Sequence, residues 1–184
     1  MHKLVLIGAS TGGPGHIKKI VQKLDKNTKA SFVIAQHMNS NVMESFTTEL
    51  SSISKLPLHL VEDKTKIEPS SIYICKTSSK FSIQSDSIYL DSLDKETLYT
   101  PSIDALFESA LGCLPQYGVT AVILTGIGDD GSKGMDLLYK KGALCIAESS
   151  ESAKVYGMPK AAYEQNQNIE IMHIDNIAKY LQNV

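Results

Sequence analysis

The chain has 184 residues and a formal net charge of -2, and 42% of its residues are hydrophobic while 21% are charged. This composition is typical of a globular domain; it excludes a clustered basic surface for nucleic acid and a membrane span of about 18 consecutive apolar residues. We therefore expect one cytoplasmic domain over residues 1–184, without direct membrane insertion.

Short apolar runs alternate with helical patterns along the chain. That alternation predicts an α/β fold, doubly wound, with a mainly parallel sheet and helices on both faces. The predicted strands are Lys3–Ile7, Ser31–Gln36, Leu58–Val61, Thr120–Leu124, Leu144–Ala147 and Glu170–Ile174. The predicted helices are Gly15–Leu24, Val42–Ser54, Ile103–Leu114, Gly134–Lys141 and Asn176–Gln182. Asn39 or Ser40 can cap the second helix and Ser102 the third.

The alternation is interrupted between Lys64 and Leu98. Three short runs separated by polar turns lie there, at Ser71–Cys75, Lys80–Gln84 and Ser87–Leu90. Short strands spaced in this way predict a small antiparallel hairpin insert around residues 71–90, beside the main sheet.

A first glycine loop, Gly8–Gly13, joins the first predicted strand to a helix and contains the pattern G-x-S-x-G with Ser10 at its centre. This pattern is typical of a nucleophile elbow, which exposes a serine hydroxyl above the carboxyl end of a strand. A plain turn, or a turn that cradles a phosphate, is the alternative. A P-loop would require lysine after the last glycine, where this chain has Pro14.

A second glycine loop, Gly126–Gly131, matches the dinucleotide pattern G-x-G-x-x-G, and Glu148 lies where a ribose-binding acid is expected. An NAD(P)-binding oxidoreductase is therefore an alternative. Asp129 and Asp130 argue against it, because carboxylates repel a pyrophosphate. Asp130 could instead orient a histidine, although an Asp-Gly pair is also ordinary turn chemistry.

His37 directly follows a predicted core strand. Ser10, His37 and Asp130 all lie at carboxyl ends of predicted strands, where open α/β sheets bind their ligands, so the three can converge. A histidine in this place can also be merely structural. Neither the other histidines nor the three well-separated cysteines show metal-ligand spacing, so we predict buried thiols, no metal and no cofactor.

With these residues considered, the chain resembles the catalytic domain of the bacterial chemotaxis receptor protein-glutamate methylesterases, the CheB family. The resemblance covers nearly the whole chain and depends on the order and spacing of several motifs. These are Ile7–Gly13, Ala35–Met38, Pro101–Phe107, Leu124–Gly131 and Tyr156–Pro159.

The resemblance implies a serine hydrolase that removes methyl groups from glutamate γ-methyl esters on chemoreceptors, with deamidation of receptor glutamines as a side activity. It implies that Ser10 is the nucleophile, that His37 is the general base and then acid, and that Asp130 orients His37. The backbone N–H groups of Thr11 and Ile127 would hold the oxyanion. We place substrate contacts at Gly12, Met38, Gly128 and Met158. We expect a monomer whose partners are methyl-accepting chemotaxis receptors and not nucleic acid.

Three features depart from the family pattern. Ile127 stands where methionine is usual, Ile74–Lys80 lacks the expected proline, glycines and histidine, and Tyr99-Thr100 replaces an arginine before the Pro-Ser motif. The N-terminal receiver domain usual in the family is not part of these 184 residues, so Met1 begins either a natural single-domain version or a fragment. A non-catalytic receptor-binding adaptor is a further alternative to the hydrolase.

Overall fold

The computed structural model describes residues 1–93 and 95–184. Its strands are β1 (His2–Ala9), β2 (Ser31–Gln36), β3 (Leu58–Val61), β4 (Thr65–Lys66), β5 (Ile72–Cys75), β6 (Ser79–Gln84), β7 (Ser87–Ser92), β8 (Tyr117–Ile123), β9 (Leu144–Glu148) and β10 (Glu170–Met172). Its helices are α1 (Gly13–Lys23), α2 (Ser40–Ile53), α3 (Ile103–Ser109), α4 (Ser132–Lys140), α5 (Met158–Gln165) and α6 (Ile174–Gln182), with a 3₁₀ turn at Ala110–Cys113.

Seven parallel strands form the main sheet, in the order β10-β9-β8-β1-β2-β5-β3. The chain starts near the middle, adds β2, β5 and β3 on one side, and then returns to add β8, β9 and β10 on the other. This reversal puts a topological switch point between β1 and β8, where open α/β sheets form a crevice at the carboxyl ends of their strands. The predicted fold class is confirmed.

Apolar side chains cover both faces of the sheet. In β1, Leu4 and Leu6 point into one buried cluster, and Val5 and Ile7 point into the other. The first cluster includes apolar residues of α3, α4 and α5, and the second those of α1, α2 and α6. A parallel strand buried on both faces needs a nearly continuous apolar run, which explains the composition of β1. In the described part of the chain, no helix is both long and apolar enough to span a bilayer.

The predicted insert is only partly correct. Strands β4, β7 and β6 form a small antiparallel sheet, and Ser85 and Asp86 both have positive φ in the turn between β6 and β7, as a type I′ hairpin requires. The run predicted at Ser71–Cys75, however, is not part of the insert. It forms β5, which lies between β2 and β3 in the main sheet with all four residues buried.

Some predicted boundaries were also wrong. The third helix ends at Ser109 and continues only as a 3₁₀ turn, and Ile174 begins α6 instead of ending a strand. Helix α5 was not predicted, although Pro159 in its first turn is a common signal for a helix start. The expected caps are present, since the side chains of Asn39 and Ser102 accept backbone N–H groups of their helices. The thiols of Cys75, Cys113 and Cys145 are free and buried, as predicted.

Candidate active site

The Gly8–Gly13 loop turns sharply where β1 ends. The Ser10 N–H donates to the carbonyl oxygen of Thr125 (3.0 Å), and the Gly13 N–H donates back to the Ser10 carbonyl (2.8 Å), immediately before α1 begins. Gly12 has a φ of +83°, and a Cβ at this position would lie 2.7 Å from the Cβ of Lys154. The turn therefore requires glycine there, and it leaves the Ser10 side chain half-buried at the sheet edge.

The register of β1 and β2 brings His37 next to Ser10. Ala9 pairs with Gln36, and the His37 N–H donates to the Ala9 carbonyl (2.9 Å). Because neighbouring strands lie about 4.8 Å apart, the residues that follow Ala9 and Gln36 emerge side by side. This proximity arises from parallel pairing alone, although 26 residues separate the two positions.

Asp130 comes from the loop after β8 and meets the imidazole of His37. The Nε2–H of His37 donates to Asp130 Oδ2 at 2.7 Å, and the two side chains are 13% and 2% exposed. The same carboxylate accepts the backbone N–H groups of Ile103 (2.8 Å) and Asp104 (2.9 Å) in the first turn of α3. Three donors thus fix the carboxylate, which suits a residue that must orient an imidazole.

Because Nε2 of His37 is bonded to Asp130, only the second ring nitrogen, Nδ1, remains to form a hydrogen bond with Ser10. Within the described residues, neither Nδ1 nor Ser10 Oγ takes part in a hydrogen bond, so the contact between base and nucleophile is not formed in this state. Such bonds are often long in free enzymes and shorten when substrate binds. One face of the imidazole is covered by the ring of Tyr99, with centroids 5.0 Å apart and planes inclined by 1°.

Two backbone N–H groups near the strand ends are unbonded in the described part of the chain, that of Thr11, next to Ser10, and that of Ile127, next to Gly126. Those of Thr11 and Ile127 are not bonded to any other described residue, and both residues are exposed, Ile127 by 62%. Gly126 makes this approach possible, because a Cβ at that position would lie 2.6 Å from the Ser10 Cβ. Ile127 is the residue after Gly126, where the two glycine loops approach each other. Its side chain is exposed, so an isoleucine can be accommodated at this position.

The comparisons with known proteins agree with this geometry. The family model described as CheB methylesterase matches residues 5–181. The chain belongs to the CheB methylesterase family. A crystal structure of the Thermotoga maritima CheB methylesterase catalytic domain superposes with a TM-score of 0.88 at 32% identity, covering 99% of this chain and 98% of that one.

Two curated relatives carry the name protein-glutamate methylesterase/protein-glutamine glutaminase. The protein of Carboxydothermus hydrogenoformans is 38% identical over 182 residues, which is 96% of this chain and 51% of that protein. The protein of Bacillus subtilis is 37% identical over 181 residues, 96% of this chain and 50% of that protein. The chain thus spans about half the length of the curated relatives it matches.

The predicted substrate contacts occupy different depths in this CheB-type site. Gly12 and Gly128 are half-buried with φ of +83° and +91°, and Met38 is half-buried against the core. Met158 is fully buried beneath Gly126, where its sulfur would lie 2.4 Å from an added Cβ. Its side chain has no exposed surface for a substrate, so in this state it supports the second glycine loop from below.

Glu148 does not have the role that a dinucleotide site would give it. Its side chain is completely buried and accepts the Thr125 N–H (2.8 Å), the Ser152 hydroxyl (2.8 Å) and Nδ1 of His16 (3.0 Å). Both carboxylate oxygens are thereby occupied. The oxidoreductase alternative is not supported, because no oxygen remains to bind a ribose and Asp130 has its own partners in α3.

Sequence reasoning missed the polar residues that support the site from behind. The Gln36 side-chain N–H₂ donates to the carbonyls of Ser10 (2.9 Å) and His37 (3.0 Å). The Thr125 hydroxyl donates to the Thr11 carbonyl (2.9 Å) and accepts the Val155 N–H (2.9 Å). Gln36 lies inside a recognised motif, but its spacing in the sequence gives no sign of this bridging position.

Ser10 and His37 lie outside the neighbouring cleft. A cleft of about 360 Å³ lies on the Asp130 side of the site, bordered by Tyr99, Ser102, Asp104, Asp129 and Lys133 among others, and neither Ser10 nor His37 is part of its lining. No cluster of three or more His, Cys, Asp or Glu side chains within residues 1–93 and 95–184 could hold a metal ion. Ser10 thus lies outside this cleft, half-buried at the end of β1.

Proposed function

We propose that this chain hydrolyses glutamate γ-methyl esters on bacterial chemoreceptors and releases methanol, with deamidation of receptor glutamines as a side activity. The hydrogen bond of 2.7 Å between His37 and Asp130, at the strand end next to Ser10, is the observation that carries this proposal. The names of the curated relatives supply the substrate class.

In the proposed mechanism, Ser10 Oγ attacks the ester carbonyl carbon while His37 Nδ1 takes the hydroxyl proton. The imidazolium that forms is stabilised by Asp130 through Nε2, and the tetrahedral oxyanion accepts the N–H groups of Thr11 and Ile127. The carbon–oxygen bond to the methoxy group then breaks, and methanol leaves with the proton from His37.

Water completes the cycle by the same route. His37 takes a proton from the water that attacks the Ser10 ester, the second tetrahedral intermediate collapses, and His37 returns a proton to Ser10. The carboxylic acid that forms loses its own proton to solvent and leaves as a carboxylate. A glutamine side chain would follow the same steps with ammonia as the leaving group. No metal or cofactor enters this scheme.

Methanol release from a methylated receptor tests substrate and nucleophile together. We expect Ser10→Ala to lower turnover by roughly 10³- to 10⁶-fold while the circular dichroism spectrum stays unchanged. Full activity of this variant would refute the nucleophile. Labelling of Ser10 by a fluorophosphonate separates the hydrolase from a non-catalytic adaptor, which would ignore the reagent.

The two neighbouring aspartates form a matched pair of variants. Asp130→Asn should lower turnover by about 10⁴-fold, because an amide cannot stabilise the imidazolium. Asp129→Asn should have a mild effect, since the Asp129 side chain is exposed and its contact with the Tyr99 hydroxyl is long, at 3.5 Å. The reverse ranking would show that the wrong aspartate had been assigned.

We also propose that residues 1–184 act as one catalytic domain, that this domain is a monomer, and that it works in the cytoplasm. The cytoplasmic assignment rests on the proposed receptor substrate. Light scattering coupled to size-exclusion chromatography tests the monomer, and a mass near 40 kDa, about twice the 20.1 kDa of one chain, would refute it.

A further inference from the structure

The ring of Tyr99 lies flat against the imidazole of His37. The centroid separation of 5.0 Å with planes inclined by 1° is an offset-stacked arrangement. We infer that Tyr99 is a positioning residue for His37, which holds the imidazole in its working plane and stabilises the imidazolium formed during turnover. This inference rests on the proposed hydrolase function.

The hydrogen bond to Asp130 does not fix the imidazole by itself. One hydrogen bond at Nε2 still tolerates a tilt of the ring by rotation about the Cβ–Cγ bond, and such a tilt changes the direction of Nδ1. A flat aromatic ring against one face blocks that rotation. The in-plane bond and the stacked face together define the direction of Nδ1, which is what proton transfer from Ser10 requires.

Tyr99 is itself held in place by a chain of buried and part-buried hydrogen bonds. The Thr97 hydroxyl donates to the Tyr99 carbonyl (2.6 Å) and also contacts the Ser78 hydroxyl (2.8 Å), which accepts the Ser102 N–H (2.9 Å). Ser78 and Ser102 are 5% and 8% exposed. The segment that bears Tyr99 is thus tied to the N-cap of α3, the same helix that binds the Asp130 carboxylate.

These contacts connect two of the departures from the family pattern. Ser78 belongs to the divergent Ile74–Lys80 segment, and Tyr99 lies where the expected arginine is missing. The divergent segment supplies the buried hydroxyl that anchors the stretch carrying the aromatic ring. The two changes therefore act together on one face of His37.

The aromatic face, not the hydroxyl, is the functional part of Tyr99. The face of a phenol ring is negative and attracts a cation placed over it, so it favours the imidazolium over the neutral imidazole. Among the described residues, the hydroxyl bonds only to Asp129, at 3.5 Å. Gly128 passes beneath it, and a Cβ there would lie 2.9 Å from the oxygen.

The test compares Tyr99→Phe, which keeps the ring, with Tyr99→Leu, which keeps apolar bulk without a π-face. In methanol release from methylated receptor, we expect Tyr99→Leu to lower kcat by about 3- to 10-fold with KM changed less than about 2-fold. Tyr99→Phe should restore kcat to within about 2-fold of the wild type. Tyr163→Leu on α5, a residue 38% exposed, serves as the matched control and should not change kcat.

Nuclear magnetic resonance gives a second readout that does not depend on activity. Stacking should shift the His37 ring protons upfield in the wild type and in Tyr99→Phe, and the shift should vanish in Tyr99→Leu. Nuclear Overhauser contacts between the two rings test the stack in the wild type alone, so the inference stays testable even if a variant fails to fold.

Three results would overturn the inference: wild-type kcat in Tyr99→Leu, equal losses in the Phe and Leu variants, or no contact between the rings. A wild type that releases no methanol would instead refute the proposed function. The two failures are therefore distinguishable.

Discussion

At the scale of single residues, the carboxylate of Asp130 joins two parts of the molecule. It receives the His37 Nε2–H and the N–H groups of Ile103 and Asp104 while its side chain is only 2% exposed. Buried charge is costly unless it is hydrogen-bonded, and these three donors offset that cost. The first turn of α3 thus keeps the carboxylate pointed at the imidazole.

Gln36 performs a related task for the backbone. Its side chain is 2% exposed and donates to the carbonyls of both Ser10 and His37. We expect Gln36→Met, which has similar length and no donor, to lower the free energy of unfolding by about 1–3 kcal/mol. It should also lower kcat on the order of 10-fold, because Ser10 and His37, the proposed nucleophile and base, lose their common support.

Urea unfolding and methanol release measure the two effects of Gln36→Met. Gln84→Met at the exposed end of β6 is the control for the chemical change itself. A Gln36 variant that unfolds and turns over like the Gln84 control would show that the bridging amide is dispensable.

Asp104 offers a prediction about pH. Burial raises the pKa of this carboxyl above its usual range, and the charges of Asp130 and Glu108 add to the effect, while the Gly134 N–H opposes it. An aspartate with a raised pKa in the folded state destabilises the fold at neutral pH. This cost is lost as pH falls through the raised pKa and is absent below the ordinary value of 3.8.

We therefore expect Asp104→Asn to be more stable than the wild type at pH 7, since an amide oxygen can still accept the Gly134 N–H. In a series from pH 7 to below 3.8, the advantage should persist until pH falls through the raised pKa and should then be lost. Urea unfolding over that pH series measures it. A gain that stays constant with pH would mean that the charge of Asp104 is not its cause.

At the scale of elements, Glu148 connects the ends of β8 and β9 to α1, the helix that follows the Gly8–Gly13 loop. It ends β9, accepts the Thr125 N–H after β8, and binds His16 in α1, the helix that starts just after Ser10. Thr125 in turn donates to the Thr11 carbonyl. One buried carboxylate thus connects two strand ends with the helix of the elbow.

Glu148→Gln should lower the free energy of unfolding by about 1–3 kcal/mol, because it leaves a buried donor facing an amide N–H₂. The exposed Glu151→Gln is the matched control. Combining Glu148→Gln with His16→Gln should cost less than the sum of the single changes, as expected for residues in direct contact. If the losses in free energy of unfolding, measured by chemical denaturation, were additive, Glu148 and His16 would not be energetically coupled.

The elements also show which features the sequence could reveal. Ser10, His37 and Asp130 were predictable, because polar residues that follow apolar strands of a parallel sheet must share one edge. The stack of Tyr99 on His37 and the bonds of Glu148 were not, because they join residues 62 and 132 positions apart through side chains with no periodic signal. The sequence prediction placed β5 in the insert and was wrong. A four-residue apolar run has the same pattern in a hairpin strand as in a buried parallel strand, so the sequence does not distinguish the two.

At the scale of the whole molecule, the site lies where the chain reverses direction across its sheet. Ser10 follows β1 and Ile127 lies in the loop after β8, on the two sides of the switch point. The adjoining cleft of about 360 Å³ is bordered by carboxylates and lysines, and Ser10 is outside it. This cleft therefore does not enclose Ser10.

The position of Ser10 outside this cleft predicts that kcat/KM depends strongly on a macromolecular substrate. An enzyme that cannot enclose the reacting group must obtain its binding energy from remote parts of the substrate, and truncated substrates then lose kcat as well as affinity. We expect kcat/KM for free glutamate γ-methyl ester to be lower than that for a methylated receptor by roughly 10³-fold or more. Methanol release from both substrates measures the ratio, with Ser10→Ala as the background. Comparable kcat/KM values would show that the reacting side chain alone is recognised and that the surface around Ser10 does not take part in binding.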